Sequence, residues 1–164
     1  MVSLAWVGFL AMLVIGFDRY LGQQANPNES PEVTYASDGA AEVKLAQNKQ
    51  GHYIANGQLN DHWVTFVLDT GATNISIPAK VAQRMGLTKG NPERTRTANG
   101  DIVVYRVILG SVTLGAIKLN NVKAHINPHM SGEAVLLGMS FLKHVEMAQK
   151  DKQLTLRLKP RASQ

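Results

Sequence analysis

Residues 66–74 read F-V-L-D-T-G-A-T-N, an apolar run that ends in an acid, a hydroxyl and a glycine. The apolar residues before Asp69 predict a strand end, where an ionised carboxylate is costly unless it is hydrogen-bonded or shares a proton with a neighbour. Thr70 supplies a hydroxyl, and Gly71 lets the backbone turn closely enough for its N–H to reach the carboxylate. Because Asp and Gly are also common in simple turns, the triplet alone leaves a plain turn open.

The sequence around this triplet favours a mostly β domain. Strand-forming residues on both sides of Asn60-Asp61 predict a hairpin whose second arm is H-W-V-T-F-V-L. A short helix is expected at about 78–85, with Pro78 in its first turn and Gly86 at its end. With one or two short helices, the pattern points to a closed or sandwich-like barrel. Further strand-forming runs lie at 102–109, 112–114, 117–122, 134–137, 145–148 and 154–158.

A second apolar run, A-V-L-L-G-M-S-F-L at 134–142, ends in a glycine before a helix-like segment. Together with D-T-G-A-T at 69–73 and T-A-N-G at 97–100, it resembles a retropepsin-like aspartic protease. The likeness is greatest to bacterial, membrane-anchored, single-domain members of that family, and it covers about residues 50–158. The resemblance implies a closed retropepsin-like (acid protease) barrel in which two chains build one active site.

The resemblance also implies roles for individual residues. Asp69 would be the catalytic residue of an aspartic endopeptidase with a water nucleophile. The chemistry needs two carboxylates that share one proton, and D-T-G occurs once, so the second Asp69 would come from another copy in a homodimer. The expected support of the active-site loop comprises Thr70, Gly71, Ala72, Leu136, Leu137 and Gly138. The expected substrate-binding flap comprises Ala98, Asn99 and Gly100.

An extended peptide or protein is the expected substrate, held under the flap as an added strand. The Asn99-Gly100 pair is itself a strong hairpin-turn signal, which by itself fits a surface hairpin equally well. Ala72 cannot donate a side-chain hydrogen bond to the carboxylate as a serine could, so we expect activity in mildly rather than strongly acidic conditions. The alternative function is a catalytically silent module of the same fold that dimerises or binds peptides at the membrane.

The N-terminal residues 1–17, M-V-S-L-A-W-V-G-F-L-A-M-L-V-I-G-F, carry no charged side chain. This length as a helix just spans a bilayer core of about 30 Å, so a transmembrane anchor at 1–20 is favoured over a signal peptide or a buried helix. The polar segment 21–43 is expected to be a flexible linker and 44–160 the protease domain. We therefore expect a single-pass protein of a bacterial inner membrane with a periplasmic catalytic domain.

The composition argues against other classes of partner. The formal charge is +5, but the bases are scattered without interleaved aromatics, so nucleic-acid binding is not expected. The chain has no cysteine, which rules out a disulfide framework and a thiolate zinc site. His125 and His129 have the spacing of helical zinc ligands, but Pro128 between them disfavours a helix. We expect neither a metal nor another cofactor.

Overall fold

The structure is a computed structural model that describes residues 2–97 and 100–159. Within these ranges the chain forms three helices and eleven strands. In chain order they are α1 (Val2–Ala25), β1 (Glu32–Tyr35), β2 (Ala41–Ala46), β3 (Ile54–Leu59), β4 (His62–Leu68), β5 (Ile75–Pro78), α2 (Ala79–Arg84), β6 (Pro92–Thr97), β7 (Gly100–Leu114), β8 (Ile117–Asn127), β9 (Val135–Leu137), α3 (Met139–Leu142), β10 (Val145–Lys150) and β11 (Gln153–Leu158).

Six of these strands close into a barrel in the order β3-β4-β9-β5-β8-β7, since β7 also pairs with β3 through Val112 and Leu59. The short strand β9 lies between β4 and β5, parallel to the first and antiparallel to the second. Strand β6 pairs with the start of β7 and extends the sheet beyond the barrel. The prediction of a mostly β, closed fold with short helices, here α2 and α3, is confirmed.

The hairpin predicted around Asn60-Asp61 is present, with β3 and β4 paired from Ile54–Val67 to Leu59–His62. Asn60 and Asp61 have φ of 45° and 64°, a left-handed conformation that Asn and Asp tolerate better than most residues. Helix α2 begins after Pro78 and is followed by Gly86 at φ 66°, as the sequence predicted. Local turn and cap chemistry therefore identified these elements correctly.

Other boundaries differ from the expectation. The runs 102–109 and 112–114 belong to one long strand, β7, and the run 117–122 continues to Asn127 in β8. Strand β5 was not predicted, because four residues that end in a proline give little periodic signal. It exists because it pairs with β8 and β9, which are distant in sequence.

A second sheet of four strands, in the order β1-β2-β11-β10, packs on the barrel. Val43 and Leu45 of β2 and Leu156 of β11 are fully buried and belong to the same apolar cluster as Phe66 of the barrel. The two sheets therefore share one core, which links the N-terminal strands to the rest of the domain.

Segment 21–43, expected to be a flexible linker, contains the end of α1, strand β1 and the first residues of β2. Asn28 lies in the same segment and is only 5% exposed. Its side-chain amide donates to the carbonyls of Ala46 (2.9 Å) and Ile54 (2.7 Å), and its side-chain oxygen accepts the N–H of Ala46 (2.7 Å). A polar composition indicated a linker here, but the side chain of Asn28 is hydrogen-bonded to the backbone of β2 and β3.

Helix α1 occupies the position of the predicted anchor, and the apolar side chains described along it, including Trp6, Phe9 and Leu13, are exposed. In the part of the chain that the structure describes, no helix has both the length and the apolar character required to cross a membrane. The transmembrane anchor at 1–20 is therefore not confirmed.

Candidate active site

Asp69 follows the last residue of β4, at the point where the strand leaves the barrel. The N–H of Leu68 donates to Tyr53 O (3.0 Å), and the N–H of Asp69 donates to Leu137 O (3.2 Å). The side chain of Asp69 accepts the N–H of Gly71 at Oδ1 over 2.8 Å. This hydrogen bond satisfies one carboxylate oxygen of a residue that is half-buried.

The loop after Asp69 is held by the segment that follows β9. Ala72 O accepts the N–H of Met139 (2.7 Å), and Thr73 O accepts the N–H of Ser140 (2.9 Å). The hydroxyl of Ser140 in turn accepts the N–H of Ile75 (3.1 Å). Three hydrogen bonds therefore fix residues 72–75 against the start of α3.

Gly138 is required by this close approach. A Cβ at this position would lie 2.4 Å from Asn74 O and 2.6 Å from Ala72 O, both backbone atoms. Leu137 is fully buried and pairs in register with Leu68, while Leu136 is half-buried and pairs with Val67 and Ser76. These residues therefore lie next to the loop, in the strand and turn that contact it.

Thr70 and Gly71 are exposed in the single chain, and Ala72 is half-buried. The loop therefore presents its polar end at the surface of the domain. Among the described residues, no second carboxyl group hydrogen-bonds Asp69. Within the part of the chain that the structure describes, Asp69 is thus the acid that this loop presents.

The flap expected at 98–100 corresponds to the hairpin of β6 and β7. Ala98 and Asn99 lie outside the described residues. Gly100 is the first residue of β7, is exposed, and has a φ of 108°, which favours glycine. Thr97 donates its hydroxyl to Gly100 O over 2.9 Å, so the two ends of the turn are joined.

Four polar residues that the sequence did not connect join the loop to this hairpin: Asn74 in the loop, Glu93 and Arg106 in the hairpin, and His125 in β8 between them. His125 Nε2 is 3.5 Å from Asn74 Nδ2 and 3.4 Å from Glu93 Oε2. Arg106 Nε is 2.8 Å from the same oxygen of Glu93. No local motif joins residues this far apart in sequence, although Arg106 and His125 are opposite each other on β7 and β8.

His125 and His129 were considered together as a metal pair. His125 lies within β8 with its side chain 12% exposed, whereas His129 is exposed in the turn after the strand. Within residues 2–97 and 100–159, no group of three or more His, Asp or Glu side chains is arranged to hold a metal ion. The two histidines therefore have different surroundings.

Comparisons with known proteins agree with this geometry. The model of a family described as gag-polyprotein putative aspartyl protease matches residues 55–144, which include Asp69 and Gly138. An uncharacterized protein of Rickettsia prowazekii (strain Madrid E) is 32% identical over 123 residues, which cover 73% of this chain and 52% of that protein. An uncharacterized protein in the cobV 5′ region of a Sinorhizobium species is 32% identical over 137 residues, covering 82% of this chain and 58% of that protein.

The chain thus spans just over half the length of these two curated relatives. Among solved structures, it resembles the crystal structure of a retropepsin-like aspartic protease from Rickettsia conorii with a TM-score of 0.60. That match has 28% sequence identity and covers 79% of this chain and 93% of the solved chain. The family match spans more than half of the residues, from β3 to the end of α3, so this chain belongs to the retropepsin-like aspartyl protease family.

Proposed function

We propose that the protein is an aspartic endopeptidase whose active site is formed by Asp69 from each of two identical chains. The observation that carries the proposal is the fixed D-T-G loop, in which Asp69 accepts the Gly71 N–H while the loop is held by Met139 and Ser140. Such support keeps an acid in one position, which is what a general acid or base requires. A module that only binds partners has no need for it.

In the proposed reaction, the two Asp69 carboxyl groups share one proton. The ionised group removes a proton from water, and the oxygen of that water bonds to the scissile carbonyl carbon. The protonated group donates to the carbonyl oxygen as it gains negative charge. The group that took the proton from water then gives it to the amide nitrogen, and the other group takes a proton back from a hydroxyl of the tetrahedral diol. The C–N bond breaks, the carbonyl re-forms as a carboxyl group, and two peptides leave with the pair of acids again sharing one proton.

The homodimer is supported by the exposure of Thr70 and Gly71 in the single chain. A twofold axis beside this loop would bring each residue against its own copy, which is the simplest way to place two identical acids together. In this arrangement Thr70 joins the two loops, and Ala72, Leu136, Leu137 and Gly138 support them.

The proposed substrate is an extended peptide that pairs with the β6–β7 hairpin as an added strand. Ala98, Asn99 and Gly100 at the tip would contact its backbone. Closure of the hairpin would exclude water other than the nucleophile from the two acids.

A periplasmic position of the domain, tethered by residues 1–17, remains a proposal from the apolar N-terminal sequence. Separation of membrane and soluble fractions of cells that produce the full chain tests it. Protease added to intact spheroplasts then reports the side of the membrane. Recovery of the full chain in the soluble fraction would contradict this part of the proposal.

The competing function is a non-catalytic dimerisation or peptide-binding module. Asp69→Asn in the full chain separates the two functions. We expect cleavage of a peptide library to fall by at least about 10²- to 10⁴-fold, with dimer mass and melting temperature retained. Asp61→Asn is the matched control, because Asp61 is an exposed acid in a turn whose left-handed backbone Asn also tolerates.

Wild-type dimer that cleaves no peptide between about pH 3 and 8 would favour the silent module. Cleavage that survives in Asp69→Asn would contradict the assignment of Asp69. Mixed dimers of one wild-type chain and one Asp69→Asn chain provide a further check. A dimer with a single Asp69 should be as inactive as a dimer with none.

A further inference from the structure

The polar cluster formed by Asn74, Glu93, Arg106 and His125 connects two segments that act on the same substrate in the proposed reaction. Asn74 belongs to the loop that begins with Asp69, and Glu93 lies in β6, the first strand of the flap hairpin. His125 of β8 lies between them. The cluster is therefore placed to relate the position of the hairpin to that of the acid.

His125 is unusual for its place in the barrel. Its neighbours Ala124 and Ile126 are each 1% exposed and fill the core, whereas the His125 side chain is on the opposite face of β8 and is 12% exposed. An imidazole this deeply covered needs polar partners. Those given by the structure are Asn74 from the loop and Glu93 from the hairpin.

Both partners approach the same ring atom, Nε2, at 3.5 Å and 3.4 Å. Because one ring nitrogen either donates to Glu93 or accepts from Asn74, it makes one of these hydrogen bonds at a time, while the other partner stays in contact with the ring. Glu93 is held in place by Arg106, whose Nε is 2.8 Å from the same carboxylate oxygen. The two contacts of Nε2 are longer than ordinary hydrogen bonds, so each is weak by itself.

We propose that His125 is a positioning residue that couples the flap hairpin, through Glu93, to the active-site loop, through Asn74, and so sets the affinity for an extended peptide. This inference rests on the proposed function. Without the coupling, strand β6 is more mobile. A peptide that binds must then restrict its motion, which weakens binding. Since the acid itself is held by residues 137–140, the chemical step should be affected much less than peptide binding.

Kinetics of the full chain test the proposal. We expect His125→Leu to raise KM about tenfold while kcat stays within about threefold of wild type, and Glu93→Gln to act in the same direction. His125→Gln, which keeps a donor and an acceptor, should recover most of the lost affinity. The double variant Glu93→Gln/His125→Leu should be no worse than the more affected single variant, because each change removes the same coupling.

The matched control is Glu133→Gln. Glu133 also faces an arginine, with Arg84 Nη1 at 3.0 Å from its Oε2, but this ion pair is exposed and joins α2 to the segment before β9. The KM of Glu133→Gln should equal that of wild type. A KM for both His125→Leu and Glu93→Gln within twofold of wild type would overturn the proposal, as would an equal rise in Glu133→Gln.

Hydrogen exchange provides a measurement that does not depend on cleavage. Amides of 92–97 and 100–106 should exchange faster in His125→Leu than in wild type, with the melting temperature of His125→Leu unchanged. If His125→Leu does not fold, Glu93→Gln, whose side chain is 38% exposed, gives the same comparison. Unchanged exchange in a folded variant contradicts the coupling, whereas absence of cleavage by wild type contradicts only the protease assignment.

Discussion

The N–H of Met139 donates to the carbonyl oxygen of Ala72 over 2.7 Å, which joins the residue after Gly138 to the loop that carries Asp69. The two residues are far apart in sequence but adjacent in space because β9 pairs with β4 in parallel, with Leu137 opposite Leu68. The residues after Leu68 and those after Leu137 therefore leave the barrel side by side. The position of the acid thus depends on a strand of only three residues.

Gly138→Ala should destabilise the protein and reduce cleavage together. The backbone of Gly138, at φ −91°, suits any residue, so the cost comes from the new methyl group, 2.4 Å from Asn74 O and 2.6 Å from Ala72 O. We expect the free energy of unfolding to fall by about 1–3 kcal/mol, measured by urea denaturation. In Gly110→Ala the methyl group would lie 3.4 Å from Asn60 Oδ1, so this control should change little. Equal effects in both variants would argue against the close approach.

Asn28→Ala should loosen the segment between α1 and β2. The change leaves the N–H of Ala46 and the carbonyls of Ala46 and Ile54 without their side-chain partner, at a cost of about 1–3 kcal/mol. Chemical denaturation measures the decrease in the free energy of unfolding. Limited proteolysis should show faster cleavage at 29–40. Asn120→Ala, an exposed position on β8, is the control and should behave as wild type. Proteolysis at the wild-type rate in Asn28→Ala would show that other contacts hold this segment.

Ala72→Ser should shift the acidic limb of the pH–rate profile. A hydroxyl that donates to the pair of acids favours their ionised form, so cleavage should persist to lower pH than in wild type. The wild-type profile itself should peak in mild acid. A wild-type maximum near about pH 2 would contradict the interpretation of Ala72, as would a serine variant whose limb moves to higher pH.

Glu133→Gln should lower the melting temperature at neutral pH but not in acid. A hydrogen bond from Arg84, then the charges of Arg84 and Lys80, hold the pKa of Glu133 below its ordinary value of 4.5. A lowered carboxyl pKa contributes stability above the ordinary value, and this contribution is lost as the pH falls through the lowered value. The difference in melting temperature between the variant and wild type should therefore shrink below about pH 4.5. It should also shrink in 1 M salt, because the ion pair is exposed and salt screens it. A difference that grows in acid would show that the charge is not its cause.

Much of the fold could be predicted from local patterns. The Asn60-Asp61 turn, the helix between Pro78 and Gly86, and the run into Gly138 each depend on residues that are adjacent in sequence. The prediction that Asp69 is the catalytic acid rests on the same kind of pattern, and its hydrogen bond with Gly71 spans only two residues. Short-range chemistry is visible in a sequence because the residue types that it requires are near each other.

Long-range contacts were missed for the same reason. Ser140 and Ile75 are 65 residues apart, and Asn74 and His125 are 51 apart, so no spacing pattern joins them. Asn28 lies in a polar segment typical of a linker. Only folding brings its side chain to three backbone groups, which belong to Ala46 in β2 and Ile54 in β3. Strands β1 and β5 are similarly defined by their pairing partners rather than by their own residues.

The hydrogen bond between Ser140 and Ile75 also has a consequence for the order of events during synthesis. Residues 69–75 leave the ribosome well before 137–140, so the emerging chain carries the acid without the contacts that hold it. Closing the 65-residue loop between Ile75 and Ser140 also costs more chain entropy than forming the local β3–β4 hairpin. The proposed cleavage activity would therefore arise only after nearly the whole domain has been made, which protects the nascent chain and its neighbours from premature hydrolysis.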